Sequence, residues 1–423
     1  MNAELARKRR EFFEPNLPPT NSFNLIDLPT EVLEEVFYFL PAKTICKDVH
    51  QTCKRLCNIS RTPVFWSSYL KRAKSFEPVS NRIVDTEPWK RAFSFEQEEK
   101  RWQENQSLYR YRSVQAHSAT VDSLIVHETP NGNRLAVSGS RDRSICLWNL
   151  KNVAENETEK STWYKTQFAA HSAWIWTICI GEDGKNVFSG GLDSMIKQWE
   201  VVDGGLVLLR ERSNNNEALL NCLIENNTLY TATYTSKIMV ADIRISLDPQ
   251  QTFELPRRNA VNCMKSLSTS NYIYTMSTQT GNLFSIDKRQ MKICQRSRNF
   301  LHCSSLDLND ESLVASWKDG TVKYLNPMNL KTEYTWVCKA QVDLKNLSPV
   351  RLSKGAFVYA NSYELLVYTP GRRPQLLGRL PTKDMIISLD YKNGDLACGM
   401  SEGVVMFWPR ENQKFSLVDH GNT

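Results

Sequence analysis

The chain has 423 residues, a net charge of +7 and an apolar fraction of 41%. No run of eighteen apolar residues occurs, so no membrane-spanning helix is expected. Residues 1–10 carry +3 of the charge and the other 413 only +4, too little to make nucleic acid the main ligand. There are eleven cysteines and no C-x-x-C pair; Cys179, Cys222, Cys263 and Cys303 recur in one strand context and read as small buried groups too far apart for disulfides, while Cys53 and Cys57 lack partners for zinc. They point to a reducing, intracellular setting, cytoplasmic or nuclear.

Residues 1–21 open as a polar tail whose run Arg7-Lys8-Arg9-Arg10 reads as a solvated segment or a nuclear address. No apolar stretch follows it, so it is not a secretory leader. Residues 22–70 have helical spacing. Val32, Leu33, Val36, Phe37 and Leu40 recur at three and four, with Pro29 suited to a first turn and Pro41 a stop. A second helical line is Ile45, Val49, Cys53 and Leu56, and a third, after Pro63, is Phe65, Trp66, Tyr69 and Leu70. About fifty residues is near the lower limit for independent stability, so a partner or neighbouring helix is expected.

This segment resembles the F-box. The likeness is carried by Leu28-Pro29-x-Glu31-Val32-Leu33, Val36, Leu40-Pro41, the Val49…Cys53…Leu56 line and Phe65-Trp66. The resemblance implies an apolar face docked on a Skp-type adaptor and, through it, a cullin. Mapped residue by residue, that face is Leu25, Leu28, Pro29, Val32, Leu33, Val36 and Leu40, with Cys53 and Trp66 at its margin. An amphipathic helical cap on the next domain is the alternative reading of the spacing. Residues 71–106, rich in charge and aromatics and poor in Gly and Ser, read as a semi-rigid helical linker with Phe95 and Trp102 on one face.

From residue 107 the period changes. His117…Ser138…Asp142…Trp148 recurs as His171…Ser189…Asp193…Trp199, with Asp six residues before Trp both times. The unit resembles the WD repeat, one blade of a β-propeller. Taking Trp148, Trp199, Ala241, Ile286, Leu325, Tyr368 and Trp408 as strand ends, the spacings run from 39 to 51 residues, which predicts seven blades over residues 107–410 and a tail at 411–423. The ring needs an outer strand for its last blade. Tyr109–Val114 is expected to supply it, with Lys414–Asp419 the rival.

The His–Ser–Asp sets invite a catalytic reading, but two equivalent active sites on adjacent blades make little sense. A hydrogen-bond chain that pairs buried polar groups does; it is also what the WD resemblance implies. Ala241, Ile286 and Leu325 replace the Trp in later blades, and Thr235 and Thr280 the Asp, so those blades are expected to rely on apolar packing alone. With no phosphate-binding Gly loop, zinc set or nucleophile elbow, no enzyme activity, metal or cofactor is expected.

In propellers the residue before each Asp position gathers at one end of the channel: here Arg141, Leu192, Tyr234, Gln279, Lys318 and Ser401. The turns into the inner strands add Trp174, with Arg257 and Arg258 as further candidates. Trp and Arg are enriched at binding hot spots. An arginine-read phosphopeptide and a mixed aromatic–polar pocket both remain open. The expectation is a mainly β chain, a seven-bladed WD-repeat propeller behind a small all-α F-box. It would act as the substrate-recognition subunit of a cullin-type ubiquitin ligase, with an unidentified protein substrate. A non-degradative scaffold is the alternative.

Overall fold

A computed structural model describes residues 25–74, 88–103, 108–155, 160–256, 260–277, 280–297, 303–309, 312–338 and 348–410. The chain divides into two units, one of Met1–Ser75 with Asp85–Phe93 and one of Phe76–Val84 with Ser94–Thr423. The basic run at Arg7–Arg10 and the candidate strand Lys414–Asp419 fall outside the described residues, as do Arg257, Arg258 and Gln279.

The first unit is helical. Helix α1 (Thr30–Phe37) begins after Pro29, whose missing N–H costs nothing there. A short helix at Ala42–Thr44 runs through a π-helical turn, Ile45–Val49, into His50–Thr52. The expected single helix through Cys53 does not form. Cys53 is extended at φ −158° and instead precedes helix α2 (Lys54–Arg61). Helix α3 (Pro63–Ala73) follows, capped by the Thr62 hydroxyl, which accepts from the Phe65 N–H at 3.2 Å.

The core of this unit is aromatic. Phe65 meets Phe37 edge-on and stacks on Tyr38, with centroids 6.0 and 5.7 Å apart, and Trp66 packs edge-on against Tyr69 at 5.4 Å. The Trp66 indole N–H donates to the Ser60 carbonyl at 2.7 Å, and the Tyr69 hydroxyl donates to the Leu40 carbonyl at 2.9 Å. Each ring thus buries its apolar body while its polar atom keeps a partner.

The second unit contains seven four-stranded antiparallel sheets. Six are built from consecutive strands. The seventh takes Ile386–Lys392, Asp395–Met400 and Val404–Trp408 and adds Arg112–Gln115 as its outer strand, with Val114 opposite Val405. The expected outer strand is therefore the one used. The longest spacing, between Trp148 and Trp199, contains a helix, Leu150–Glu155, inserted before the outer strand of blade 1, with Leu150 and Val153 buried.

The ring closes through polar contacts between blades 7 and 1. Arg134 Nε donates to Asp395 Oδ2 at 2.8 Å, both side chains buried, and a second N–H of Arg134 reaches Oδ1. Arg410 bonds Asp395 through its backbone N–H at 2.8 Å and Glu128 through its guanidinium. Inside the channel, opposite charges alternate along successive inner strands. Lys265 lies 3.1 Å from Asp307, and Arg351 Nε donates to Asp390 at 2.8 Å. Asp307 also accepts from the Leu352 N–H and Asp390 from the Val126 N–H, both at 2.7 Å.

Helix α4 (Pro88–Gln103) has its Ser94–Gln103 part in the second unit. There Arg101 donates to the carbonyls of Gly394 and Trp408, the latter at 2.7 Å. The Trp102 indole N–H donates to Glu98 at 2.7 Å. All eleven cysteines are free.

Candidate functional site

Helix α1 has two apolar stripes. Leu33 and Phe37 point inward and are buried, while Val32 and Val36 point out, about 42% and 39% exposed. Leu25 and Pro29 are exposed as well, and Leu28 and Leu40 are half-buried. Arg55 fixes the turn at Leu25–Asp27 by donating to the carbonyls of Ile26 and, at 2.7 Å, Leu28.

Two of the expected adaptor residues are corrected. Leu33 and Trp66 are interior, at 0% and 1% exposure: Leu33 lies on the inward stripe of α1 with Phe37, and Trp66 packs in the aromatic core described above. Cys53 is half-buried at the break before α2. Ile26, Phe39 and Val64 are exposed apolar residues that the sequence reading missed; Phe39 is 88% exposed. For Phe39 and Val64 the signal was an apolar residue next to a helix cap or a proline; Ile26 had none.

In the propeller both polar chains form. Trp148 Nε1 donates to Ser138 Oγ at 2.9 Å, and Ser138 meets His117 Nε2 at 2.9 Å. His117 Nδ1 lies 2.8 Å from Ser144 Oγ and 3.2 Å from Asp142 Oδ2. In blade 2 the chain Trp199–Ser189–His171–Asp193 has links of 2.8, 2.7 and 2.8 Å. Burial alone would lower the His117 imidazole, but hydrogen bonding to Asp142 carries it up to about 9. Burial would raise the Asp142 and Asp193 carboxyls; their imidazole partners and backbone N–H groups pull both below the usual range. These bonds tie the loop into the inner strand, the turn and the two following strands of one blade together, which is a structural arrangement.

The expectation that the blades of Ala241, Ile286 and Leu325 rely on apolar packing alone is overturned in blade 3, and blade 7 has a polar tie of its own. In blade 3 Thr235 Oγ1 donates to Glu217 Oε2 at 2.7 Å and lies 3.0 Å from Thr233 Oγ1, while Lys237 pairs with Glu217. In blade 7 Asp384 accepts from the Glu402 N–H at 2.8 Å and from the Ser401 hydroxyl. The acid has moved from the turn to the loop leading into the inner strand. Ser401, expected to face a ligand, is therefore part of such a tie.

On the rim of the propeller, Arg141, Trp174 and Leu192 come together. Arg141 forms a two-pronged pair with Asp122, Nε to Oδ2 at 2.8 Å and Nη2 to Oδ1 at 3.0 Å. Its guanidinium stands 4.6 Å from the Trp174 ring centroid and 6.0 Å from that of Trp176. Gly191 lies directly beneath the Trp174 carbonyl, where a Cβ would collide with it, and the Leu192 N–H donates to that carbonyl at 3.0 Å. Ile175, between the two tryptophans, is fully buried. Tyr234 occupies the corresponding turn of blade 3 and is 57% exposed; Lys318, in blade 5, is half-buried.

Two exposed aromatics of this rim escaped the sequence reading. Phe168, 75% exposed, precedes the loop into blade 2 and borders a cleft of about 440 Å³ floored by His117 and Asp142. Tyr363 sits in the turn of blade 6, which is too short for the Asp-based alignment to register. Among the described residues no group of three or more metal-ligating side chains occurs, and no helix is long and apolar enough to cross a membrane.

Comparisons with known proteins agree with this division. The family model described as F-box-like matches residues 25–72, and the WD domain, G-beta repeat model matches residues 109–149 and 163–200. The chain thus carries an F-box-like helical region followed by a seven-bladed propeller with WD-repeat matches. It is similar to F-box/WD repeat-containing protein mec-15 of Caenorhabditis elegans, 25% identical over 379 residues, 85% of this chain and 88% of that one. Against human F-box/WD repeat-containing protein 9 the identity is 27% over 292 residues, 66% of this chain and 60% of the relative. The bovine protein of the same name gives 26% over 328 residues, 70% and 69%.

Proposed function

We propose that the chain is the substrate receptor of a Skp–cullin–F-box ubiquitin ligase. Its helical unit binds the Skp-type adaptor, its propeller rim binds the protein to be modified, and ubiquitin transfer takes place on other subunits. The observation that carries this reading is the two-sided helix α1. A free-standing cap would bury its only apolar stripe; here Leu33 and Phe37 already complete the core while Val32 and Val36 remain outside it. An exposed apolar stripe of this kind marks a protein-binding surface. With Leu25, Leu28, Pro29 and Leu40 it forms the face we assign to the adaptor, and the cullin follows through the adaptor.

The test is recovery of the tagged chain from cells. Adaptor and cullin are expected with the wild-type chain and lost together from a Val32→Asp/Val36→Asp variant whose propeller still melts as before. Recovery of neither from the wild-type chain would replace this reading by a scaffold that assembles a complex without degradation.

A further inference from the structure

Blades 1 to 3 turn four large apolar side chains toward solvent on the rim: Phe168, Trp174, Leu192 and Tyr234. Two of the cations beside them, Arg141 and Lys237, are already paired, while Arg143 in the blade 1 turn is exposed. Arg141 gives Nε and Nη2 to Asp122, whose own side chain is only 6% exposed, and Lys237 is held by Glu217. We infer that this rim takes an unphosphorylated segment of the bound protein through an aliphatic or aromatic anchor side chain. The inference rests on the reading of the propeller as the cargo-binding part.

A phosphate is gripped by guanidinium N–H donors that converge on its oxygens. To turn its Nε/Nη2 fork to one here, Arg141 would have to leave Asp122, stranding a nearly buried carboxylate, and leave the indole it stacks on. Both losses oppose phosphate binding. The ion pairs instead neutralise Arg141 and Lys237, which suits an uncharged ligand surface beside Trp174 and Tyr234. The same contacts hold Trp174 in place. The guanidinium lies against its ring, the Leu192 N–H fixes its carbonyl, and Gly191 lets the turn approach. A ring held before binding loses little freedom on binding, which favours its use as a contact for an apolar anchor. Trp and Tyr are also the residue types that dominate interface energetics.

The test uses the immobilised full-length chain and a displayed library of short random peptides, which carry no phosphate. Selection is expected to enrich sequences sharing an aromatic or aliphatic anchor. Titrated as synthetic peptides, they should lose about tenfold or more in affinity with Trp174→Ala or Tyr234→Ala, the size of a hot-spot truncation. Melting curves of both variants confirm that the ring is intact. Phosphorylating Ser or Thr in the same peptides should not tighten binding. Tighter binding of phosphorylated peptides, dependent on Arg141 and indifferent to Trp174→Ala, would overturn the inference, as would selection of no peptide sensitive to Trp174→Ala. Either result leaves co-recovery of adaptor and cullin untouched. Loss of that co-recovery with peptide binding intact would count against the receptor reading instead.

Discussion

Asp122 and Arg141 close a two-pronged ion pair within blade 1, at 2.8 and 3.0 Å, and Trp174 of blade 2 lies against the guanidinium. The arginine that a sequence reading would offer to a phosphate is the support of a tryptophan. Asp122→Asn removes the charge partner and one acceptor. It is expected to loosen Trp174, seen as a red-shifted, more readily quenched tryptophan emission, with melting lowered by about 1–2 kcal/mol equivalent. Unchanged emission would mean that the stack is held without the pair.

The His117–Asp142 pair makes a signed pH prediction. The imidazole is raised from 6.5 to about 9 in the folded chain. Its contribution is therefore full below pH 6.5 and is lost as pH rises toward about 9. The gap in melting temperature between wild type and His117→Gln should narrow over that window and stay constant below it. Asp142→Ala, which leaves His117, Ser144 and the Ser118 N–H without their acceptor, should cost about 2–3 kcal/mol at neutral pH in a denaturant titration.

Ring closure gives a double-mutant prediction. Asp395→Ala leaves Arg134 buried without its carboxylate, at a cost of about 3–5 kcal/mol. Adding Arg134→Met removes the stranded charge and should recover much of that loss. If the double variant is no more stable than Asp395→Ala, the closure depends on shape rather than on charge pairing.

The channel responds to acid. Burial would raise Asp390, but Arg351 and Lys265 hold it below its ordinary 3.8. Its contribution is present above about pH 4 and disappears as pH falls through the folded-state value. Asp390→Asn should be less stable than wild type at pH 7, and the two curves should converge at low pH.

Within the helical unit, Leu33→Ala should destabilise by about 2–5 kcal/mol as a buried leucine lost from a core. Val36→Asp should leave the circular dichroism and the melting of that unit unchanged while removing the adaptor. The contrast separates the two stripes of one helix.

Much of this was legible in the sequence. Prolines at 29, 41 and 63 bracket the helices, and the doubled His–Ser–Asp–Trp pattern defines two blades and the period of the rest. What spacing alone could not tell was which apolar residue of α1 faces the core. Val32, Leu33, Val36 and Phe37 form one continuous apolar arc of about 140°, and only the placement of Phe65 and Trp66 chooses which part of it is buried. The ties of blades 3 and 7 were hidden for a different reason. Their carboxylates, Glu217 and Asp384, lie ahead of the inner strand, so an alignment on the Asp of the turn finds nothing there. The Arg141–Asp122 pair joins residues nineteen apart, a separation that no local pattern exposes.

The strand Arg112–Gln115 belongs to the last blade but is made before the first. It emerges about 290 residues ahead of Val404–Trp408, a wait of roughly 15–60 s at ordinary rates of translation. Until then six blades can form but the ring cannot shut, and its two open edges face the crowded interior of the cell. A premature stop between residues 384 and 404 would leave that early strand without a mate for good. Such a truncation should be cleared as an aggregation-prone product, even though it keeps the whole F-box-like region and nearly all of the rim.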